Sequence, residues 1–107
     1  MATGTPGVYW SVRVEYVLSQ RTSGEYYFKS VTKGTITTHK NYLELTWCDY
    51  LLVETRNRYH SILSNGSKIR VEADWDFTAT ISSGGWPVET SWTEYHYHDK
   101  NVSDVTP

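Results

Sequence analysis

Apolar and polar residues alternate with a period of two along much of the chain, and the longest such stretch is residues 68–81. The apolar positions on one face of this stretch are Ile69, Val71, Ala73, Trp75, Phe77, Ala79 and Ile81. Successive side chains of a β-strand point to opposite faces, so this alternation predicts a half-buried strand. Gly84 and Gly85 follow, and glycine adopts positive φ without steric cost. We therefore expect residues 68–98 to form one long hairpin.

The register of this hairpin follows from the length of its turn. A two-residue turn at the glycine pair places Phe77 opposite Trp92 on the apolar face. The same register turns His96 and His98 toward the core side, where apolar residues are expected. A β-bulge near residues 93–94 would flip the alternation and turn both histidines outward. The sequence leaves both arrangements open.

Shorter alternating segments predict the remaining strands. They are residues 8–18, 25–33, 35–39, 42–54 and 57–63. Residues 35–39 either continue the preceding strand or form a strand of their own, with Gly34 as a bulge or bend. Residues 42–54 also fit helical spacing, but several poor helix formers favour a strand. Asn65 and Gly66 predict a tight turn before the long hairpin.

Six or seven short antiparallel strands predict an all-β fold, either a small antiparallel β-sandwich or, as the alternative, a small β-barrel. Residues 1–7 are expected to form a disordered lead-in, residues 8–99 a single β domain and residues 100–107 a polar tail. Pro87 cannot donate a ladder hydrogen bond, so the strand after the glycine turn is expected at a sheet edge.

The composition argues against several classes of protein. The chain has 107 residues and a formal net charge of −2, and its Lys and Arg residues are scattered, so no nucleic acid is expected as a partner. No apolar run approaches the roughly 20 residues of a membrane span. No phosphate-binding loop or catalytic motif is visible, and we expect no cofactor. Richness in Thr, Ser, Tyr and Trp, together with two Asn-x-Ser sequons, favours a secreted or cell-surface protein, although no signal peptide is visible.

Aromatic residues are the candidates for ligand binding. Trp86 lies in the sequence SSGGWP at the predicted hairpin tip, where few residues are near enough to bury it. An exposed ring there can stack on a sugar or fill a partner's pocket. The alternative is that the ring folds back over the end of the sandwich. Trp92, Tyr95 and Tyr97 complete the candidate set. They predict a binding or adhesion module that recognises a glycan or a protein through its end loops, and the aromatic side chains slightly favour a glycan.

Three other features suggest different chemistry. His96 and His98 are candidate metal ligands, because their spacing places both rings on one side of a strand. Asp74 and Asp76 share a strand face, which is compatible with a pair of carboxylates for glycoside hydrolysis. The other interpretation is that they form the solvent-facing side of an amphipathic strand, which requires polar residues in any case. Cys48 is the single cysteine and is expected to be buried and inert.

The sequence therefore favours a binding module that is not an enzyme. One alternative is a structural or assembly subunit, a homo-oligomer that pairs through exposed edge strands. The other is a metal-dependent or hydrolytic enzyme.

Overall fold

The structure is a computed structural model that describes residues 1–106. Five strands form two antiparallel sheets. The first sheet contains β1 (Val8–Gln20) and β2 (Tyr26–Lys40), and the second contains β3 (Tyr50–Leu63), β4 (Lys68–Ser83) and β5 (Trp86–Asn101), in that order. Short 3-10 turns at Ser64–Gly66 and Val102–Asp104 are the only helical segments in the described part of the chain. Neither these turns nor any other described segment forms a helix able to cross a membrane.

The predicted all-β class is confirmed, but the predicted count of six or seven strands is wrong. The predicted strands at residues 25–33 and 35–39 are replaced by the single strand β2, which begins at Tyr26 and continues through Gly34, and residues 57–63 belong to β3. The barrel alternative is also wrong, because the described strands form two separate sheets and no closed ring. The predicted edge position of the strand that carries Pro87 is confirmed, since β5 lies at one side of its sheet.

Residues 42–49 form turns, so both the predicted strand and the alternative helix are wrong there, and β3 begins only at Tyr50. The cause is local hydrogen bonding by Asn41. Its side-chain oxygen accepts from Leu43 N at 3.1 Å, and its carbonyl oxygen accepts from Glu44 N at 3.0 Å. An Asn side chain that bonds the backbone two residues on stabilises a turn rather than an extended strand.

The long hairpin and its register are confirmed. Gly84 and Gly85 both have positive φ, 59° and 85°, as a two-residue turn of type I′ requires. Phe77 stacks on Trp92 with ring centroids 5.4 Å apart. The predicted pairing is therefore the one that the structure shows.

The hairpin contains no bulge near residues 93–94. Trp92, Glu94 and His96 are half-buried while the residues between them are exposed, so the alternation passes through this point unbroken. A shift of one residue would have exchanged the two faces. His96 therefore points to the core side of the sheet.

The chain divides into two compact units, and every strand contributes residues to both. The first comprises Met1–Ser11, Thr37–Asn57 and Ala73–His96, and the second comprises Val12–Ile36, Arg58–Glu72 and the residues from Tyr97 onward. The core of the first unit is built on two tryptophans. Trp10 of β1 and Trp75 of β4 have ring centroids 4.8 Å apart, and the indole Nε1 of Trp75 donates to Thr38 Oγ1 at 3.1 Å.

The core of the second unit centres on Phe28, Ile69 and Val71, which are all buried. The half-buried residues packed on this core are Val12, Val14, Tyr16, Leu18, Val31, Ile36, Val102 and Val105. Two of these valines belong to residues 100–107, which the sequence predicts to be a polar tail. Pro107 lies outside the described residues.

Residues 1–7, predicted as a disordered lead-in, run beside the start of β1. Thr3 N donates to Val8 O at 3.0 Å, and the N-terminal ammonium group donates to Trp10 O at 2.8 Å. Thr5 is buried. These contacts place the segment against β1. The division of the chain into a lead-in, a domain and a tail stays a prediction.

Candidate binding surface

The tip of the long hairpin projects beyond the core of the first unit. Residues 81–90, here called the hairpin arm, are all exposed, whereas the core-side positions of β4 are buried as far as Ala79. Apart from each glycine and its two chain neighbours, no described residue has an atom within 4 Å of the position that a β-carbon at Gly84 or Gly85 would occupy. On the core-side face of the arm, Trp86 is 77% exposed, Val88 50% and Ile81 39%. The arm therefore presents an apolar face to solvent.

A second segment, residues 41–49, is fixed against the base of this arm. Asp49 N donates to Thr80 O at 2.8 Å, and Asp49 Oδ2 accepts from Ser82 N at 2.6 Å. Hydrogen bonds from Ser82 lower the pKa of Asp49, and the small effect of burial in the opposite direction does not cancel them. The carboxylate is thus kept ionised as the bridge between loop and arm.

The other end of this loop is held by the start of the chain. Asn41 N donates to Gly7 O at 2.8 Å, and the indole Nε1 of Trp47 donates to Pro6 O at 3.1 Å. The hydroxyl of Tyr9 donates to Glu44 Oε2 at 2.5 Å. The loop backbone is therefore fixed at several points.

Two side chains of this fixed loop, and one that follows it, nevertheless point to solvent. Leu43 is 89% exposed and Tyr42 75%, and Tyr50 at the start of β3 is 62% exposed. Tyr42 and Tyr50 line a common cavity of about 100 Å³. The name end surface is used here for these three side chains together with Ile81, Trp86 and Val88 of the arm. The loop and the arm are joined through Asp49, which bonds to Thr80 and Ser82. Exposed apolar groups on joined segments are candidates for an interaction site.

The structure does not bring the four predicted ligand-binding residues together. Trp86 lies on the end surface. Trp92 is half-buried in the core of the first unit, where its indole Nε1 donates to Glu94 Oε2 at 3.1 Å. Tyr95 and Tyr97 lie on the opposite face of β5, 54% and 50% exposed, and the guanidinium of Arg70 is 4.1 Å from the ring centroid of Tyr97.

The two predicted metal ligands lie in different surroundings. His96 Nε2 is 2.7 Å from Glu94 Oε1, and its ring contacts Trp75 edge-on with centroids 5.5 Å apart. His98 is exposed and lines a cavity in the second unit. Within residues 1–106 no group of three or more His, Cys, Asp and Glu side chains is placed to hold a metal ion.

The acidic pair on the outer face of β4 is engaged in a surface network. Asp76 accepts from Arg56 Nε at 2.7 Å and from Thr93 Oγ1 at 2.6 Å, and Asp74 accepts from Asn57 Nδ2 at 2.9 Å. Hydrogen bonds from Arg56 and Thr93 lower the pKa of Asp76. A glycosidase acid needs a raised pKa. The two carboxylates therefore join three strands, and Asp76 does not fit the role of such an acid.

Cys48 differs from its predicted state, because it is half-buried and lies in the turn segment rather than in a strand. Desolvation raises the pKa of its thiol, and the charge of Asp49 raises it further. The thiolate is the reactive species, so we expect a thiol reagent at pH 7 to react at least about tenfold more slowly with the native chain than with the urea-unfolded chain. Equal rates, followed by absorbance of the released chromophore, would contradict this placement.

Sequence reasoning missed Tyr42 and Leu43 as parts of the surface, because it placed them in a strand. The available signal was Asn41, whose side chain favours a turn that continues into the residues after it. Such a turn would have removed these side chains from the predicted strand.

Compared with known proteins, the chain matches no family model, no curated protein and no solved structure.

Proposed function

We propose that this chain is a binding module that recognises a protein partner through the end surface. The observation that carries the proposal is the exposure of Trp86, 77%, on the same face of the hairpin arm as Ile81 and Val88. Burying a ring of this size at an interface contributes strongly to affinity, and tryptophan is among the residues that dominate measured binding energies.

The aliphatic residues of the end surface favour a protein over the glycan that the sequence alone slightly favours. Leu43, Ile81 and Val88 offer no hydrogen-bonding groups, and sugar hydroxyls buried against them would lose their partners. The cores of protein interfaces are instead apolar, enriched in aromatic residues and depleted in charge. A glycan ligand is kept as the alternative.

The hydrogen bonds of Asp49 support the proposal by reducing the cost of binding. Asp49 joins the loop to both Thr80 and Ser82, so the two parts of the end surface are held before any partner arrives. Ordering flexible segments on binding consumes part of the interaction energy. A surface that is already fixed avoids most of this cost.

The proposal includes a β-sandwich as the scaffold. In each unit the core draws on both sheets: Trp10 of β1 packs on Trp75 of β4, and Phe28 of β2 belongs to the same cluster as Val71 of β4. Two sheets that bury their inner faces against each other form this kind of core.

Assembly of identical chains through edge strands is the second candidate function. The observation that favours it is the edge position of β5, which also carries Trp86. An unpaired strand edge is a template for a further strand, and a second copy could supply it.

Site-specific cross-linking tests the main proposal. A photoreactive phenylalanine analogue at position 86 should capture a defined protein, whose affinity for the purified chain is then measured. We expect Trp86→Ala to weaken this binding at least about 30-fold, the equivalent of roughly 2 kcal/mol. The matched control is Tyr59→Ala, which removes an aromatic ring 61% exposed in the other unit and should change affinity less than about twofold.

Two further measurements distinguish the alternatives. A signal on a glycan array that disappears in Trp86→Ala, with no protein captured, would replace the protein partner by a sugar. A mass that rises with concentration, and that Trp86→Ala returns to the monomer value, would make the partner a second copy of this chain.

A further inference from the structure

A cavity of about 260 Å³ opens in the second unit, where β1, β4 and β5 contribute its lining. Its apolar lining includes Val14, Ile69 and Val71, of which Ile69 is 0% and Val71 3% exposed. These two residues are part of the buried core, so the floor of the cavity is fixed. An apolar cavity of about 150 Å³ already accommodates a benzene-sized molecule. This one has room for an apolar body of about ten non-hydrogen atoms.

The ionisable nitrogen groups that reach the cavity belong to His98 and Lys100 of β5, and no acidic residue lines it. Arg13 also lines the cavity, but it is exposed between two core-packed valines of β1, so its side chain points to the opposite face of that strand. Among the described residues, Lys100 makes no ion pair and no side-chain hydrogen bond. A chain with a net charge of −2 thus places a cation that has no partner within residues 1–106 beside an apolar cavity.

The nearby basic residues outside the cavity behave differently. Arg70 contacts the carboxylate of Asp99 through two hydrogen bonds of 2.8 and 3.0 Å, and Lys68 Nζ lies 3.7 Å from the same carboxylate. The local acid is therefore already engaged. It does not neutralise the basic groups that line the cavity.

We infer that this cavity binds a small amphipathic anion, a molecule with one carboxylate and an aromatic or branched aliphatic body. The body would lie on Ile69 and Val71, where burial of apolar surface contributes about 25 cal/mol per Å². The carboxylate would meet Lys100, since charge-assisted hydrogen bonds are roughly twice as strong as neutral ones. His98 adds a ring N–H donor at the same place. The end surface plays no part in this site.

The test uses 2-naphthoate as the probe and its neutral isostere 2-naphthamide as the comparison. Both are titrated into the ¹⁵N-labelled full chain at pH 7, and amide shifts are followed by NMR. We expect naphthoate to shift the amides of residues 12–16, 69–71 and 98–100, and to bind at least tenfold more tightly than naphthamide. Equal affinities, shifts confined to other residues, or no binding at 10 mM naphthoate would each overturn the inference.

Charge variants locate the anion more closely. Lys100→Gln should weaken naphthoate binding at least fivefold. Lys29→Gln removes the same charge from an exposed residue of the same unit that does not line the cavity, and it should change affinity less than twofold. Equal losses in the two variants would show a net-charge effect and overturn the site. Trp86→Ala should leave naphthoate binding unchanged, so the outcome is independent of the proposed function.

Discussion

Replacing Phe77 with alanine is expected to lower the free energy of unfolding by about 3–5 kcal/mol. The ring is 1% exposed and stacks on Trp92 with an interplanar angle of 12°. Its removal loses the transfer free energy of an aromatic side chain and leaves a cavity in a core that can relax only in part. Urea denaturation of the variant and the wild type, followed by circular dichroism, measures the difference.

Thr78→Ala is the matched control for this variant. Thr78 is the next residue of β4 but lies on the opposite face, half-buried, with its hydroxyl 3.1 Å from Ser91 Oγ. We expect a loss of less than about 1 kcal/mol, the usual net value of one exposed hydrogen bond. Similar losses in the two variants would show that the hairpin is buried on both faces, contrary to the described core.

Glu94→Ala should produce the second-largest loss, about 2–3 kcal/mol. The Glu94 carboxylate is half-buried and accepts from Gly4 N at 2.6 Å, from the hydroxyl of Thr5 and from the indole Nε1 of Trp92. His96 Nε2 lies 2.7 Å from it as well. Removing one carboxylate leaves several partly buried donors without an acceptor, and each unmet donor has a desolvation cost.

The control for Glu94→Ala is Glu89→Ala, on the same strand. Glu89 is exposed and belongs to the hairpin arm. Its replacement should change the free energy of unfolding by less than about 0.5 kcal/mol. A loss at Glu94 as small as the loss at Glu89 would mean that the carboxylate does not tie the start of the chain to β5.

The contribution of Glu94 should also depend on pH. Burial raises the pKa of Glu94, but hydrogen bonds from Thr5, His96, Gly4 and Trp92 outweigh it, so the folded-state pKa lies below the ordinary value of 4.5. The unfolded chain then binds the proton more readily. The stabilisation is therefore fully present above about pH 4.5 and is lost as the pH falls through the folded-state pKa.

Denaturation between pH 3 and 7 measures this loss. Other carboxylates with lowered pKa, those of Asp49, Asp76 and Asp99, also contribute in the wild type. The difference between the wild type and Glu94→Gln isolates the single group. We expect this difference to shrink on acidification, and a constant difference would contradict the assigned hydrogen bonds.

The long hairpin was predictable because all of its determinants are local. The alternation of residues 68–81 assigns the faces, and the Gly84-Gly85 pair fixes the turn and with it the register. That register also places Trp92 opposite Phe77, on the apolar face. The same reasoning that predicts the pair therefore argues against Trp92 as a member of an exposed site.

Residues 42–49 were not predictable from periodicity, because their conformation depends on hydrogen bonds that periodicity does not encode. The Asn41 side chain starts the turn, and the Asp49 bonds to Thr80 and Ser82 fix its far end. Asp49 is distant in sequence from both of these partners. Only the fold brings them together, and with them the exposed side chains of Tyr42 and Leu43.

The exposure of Trp86 was one of two arrangements that the sequence left open, the other being a ring folded back over the end of the sandwich. Its neighbours Gly84, Gly85 and Pro87 cannot cover an indole ring, and they keep the tip short and stiff. The exposure of Ile81 and Val88 depends on how far the hairpin extends beyond the core of the first unit. The length of this extension is set by the other strands, which the sequence did not place correctly.

The claim that the hairpin arm is a binding surface requires the Trp86 ring to be free of the core. The free energy of unfolding of Trp86→Ala tests this requirement most directly. It is measured by urea denaturation beside the wild type, with Phe77→Ala as the example of a buried ring. A side chain that is 77% exposed should contribute little to folding, so we expect a change within about 0.5 kcal/mol. A loss above about 2 kcal/mol would contradict the claim, because losses of that size come from rings packed in a core.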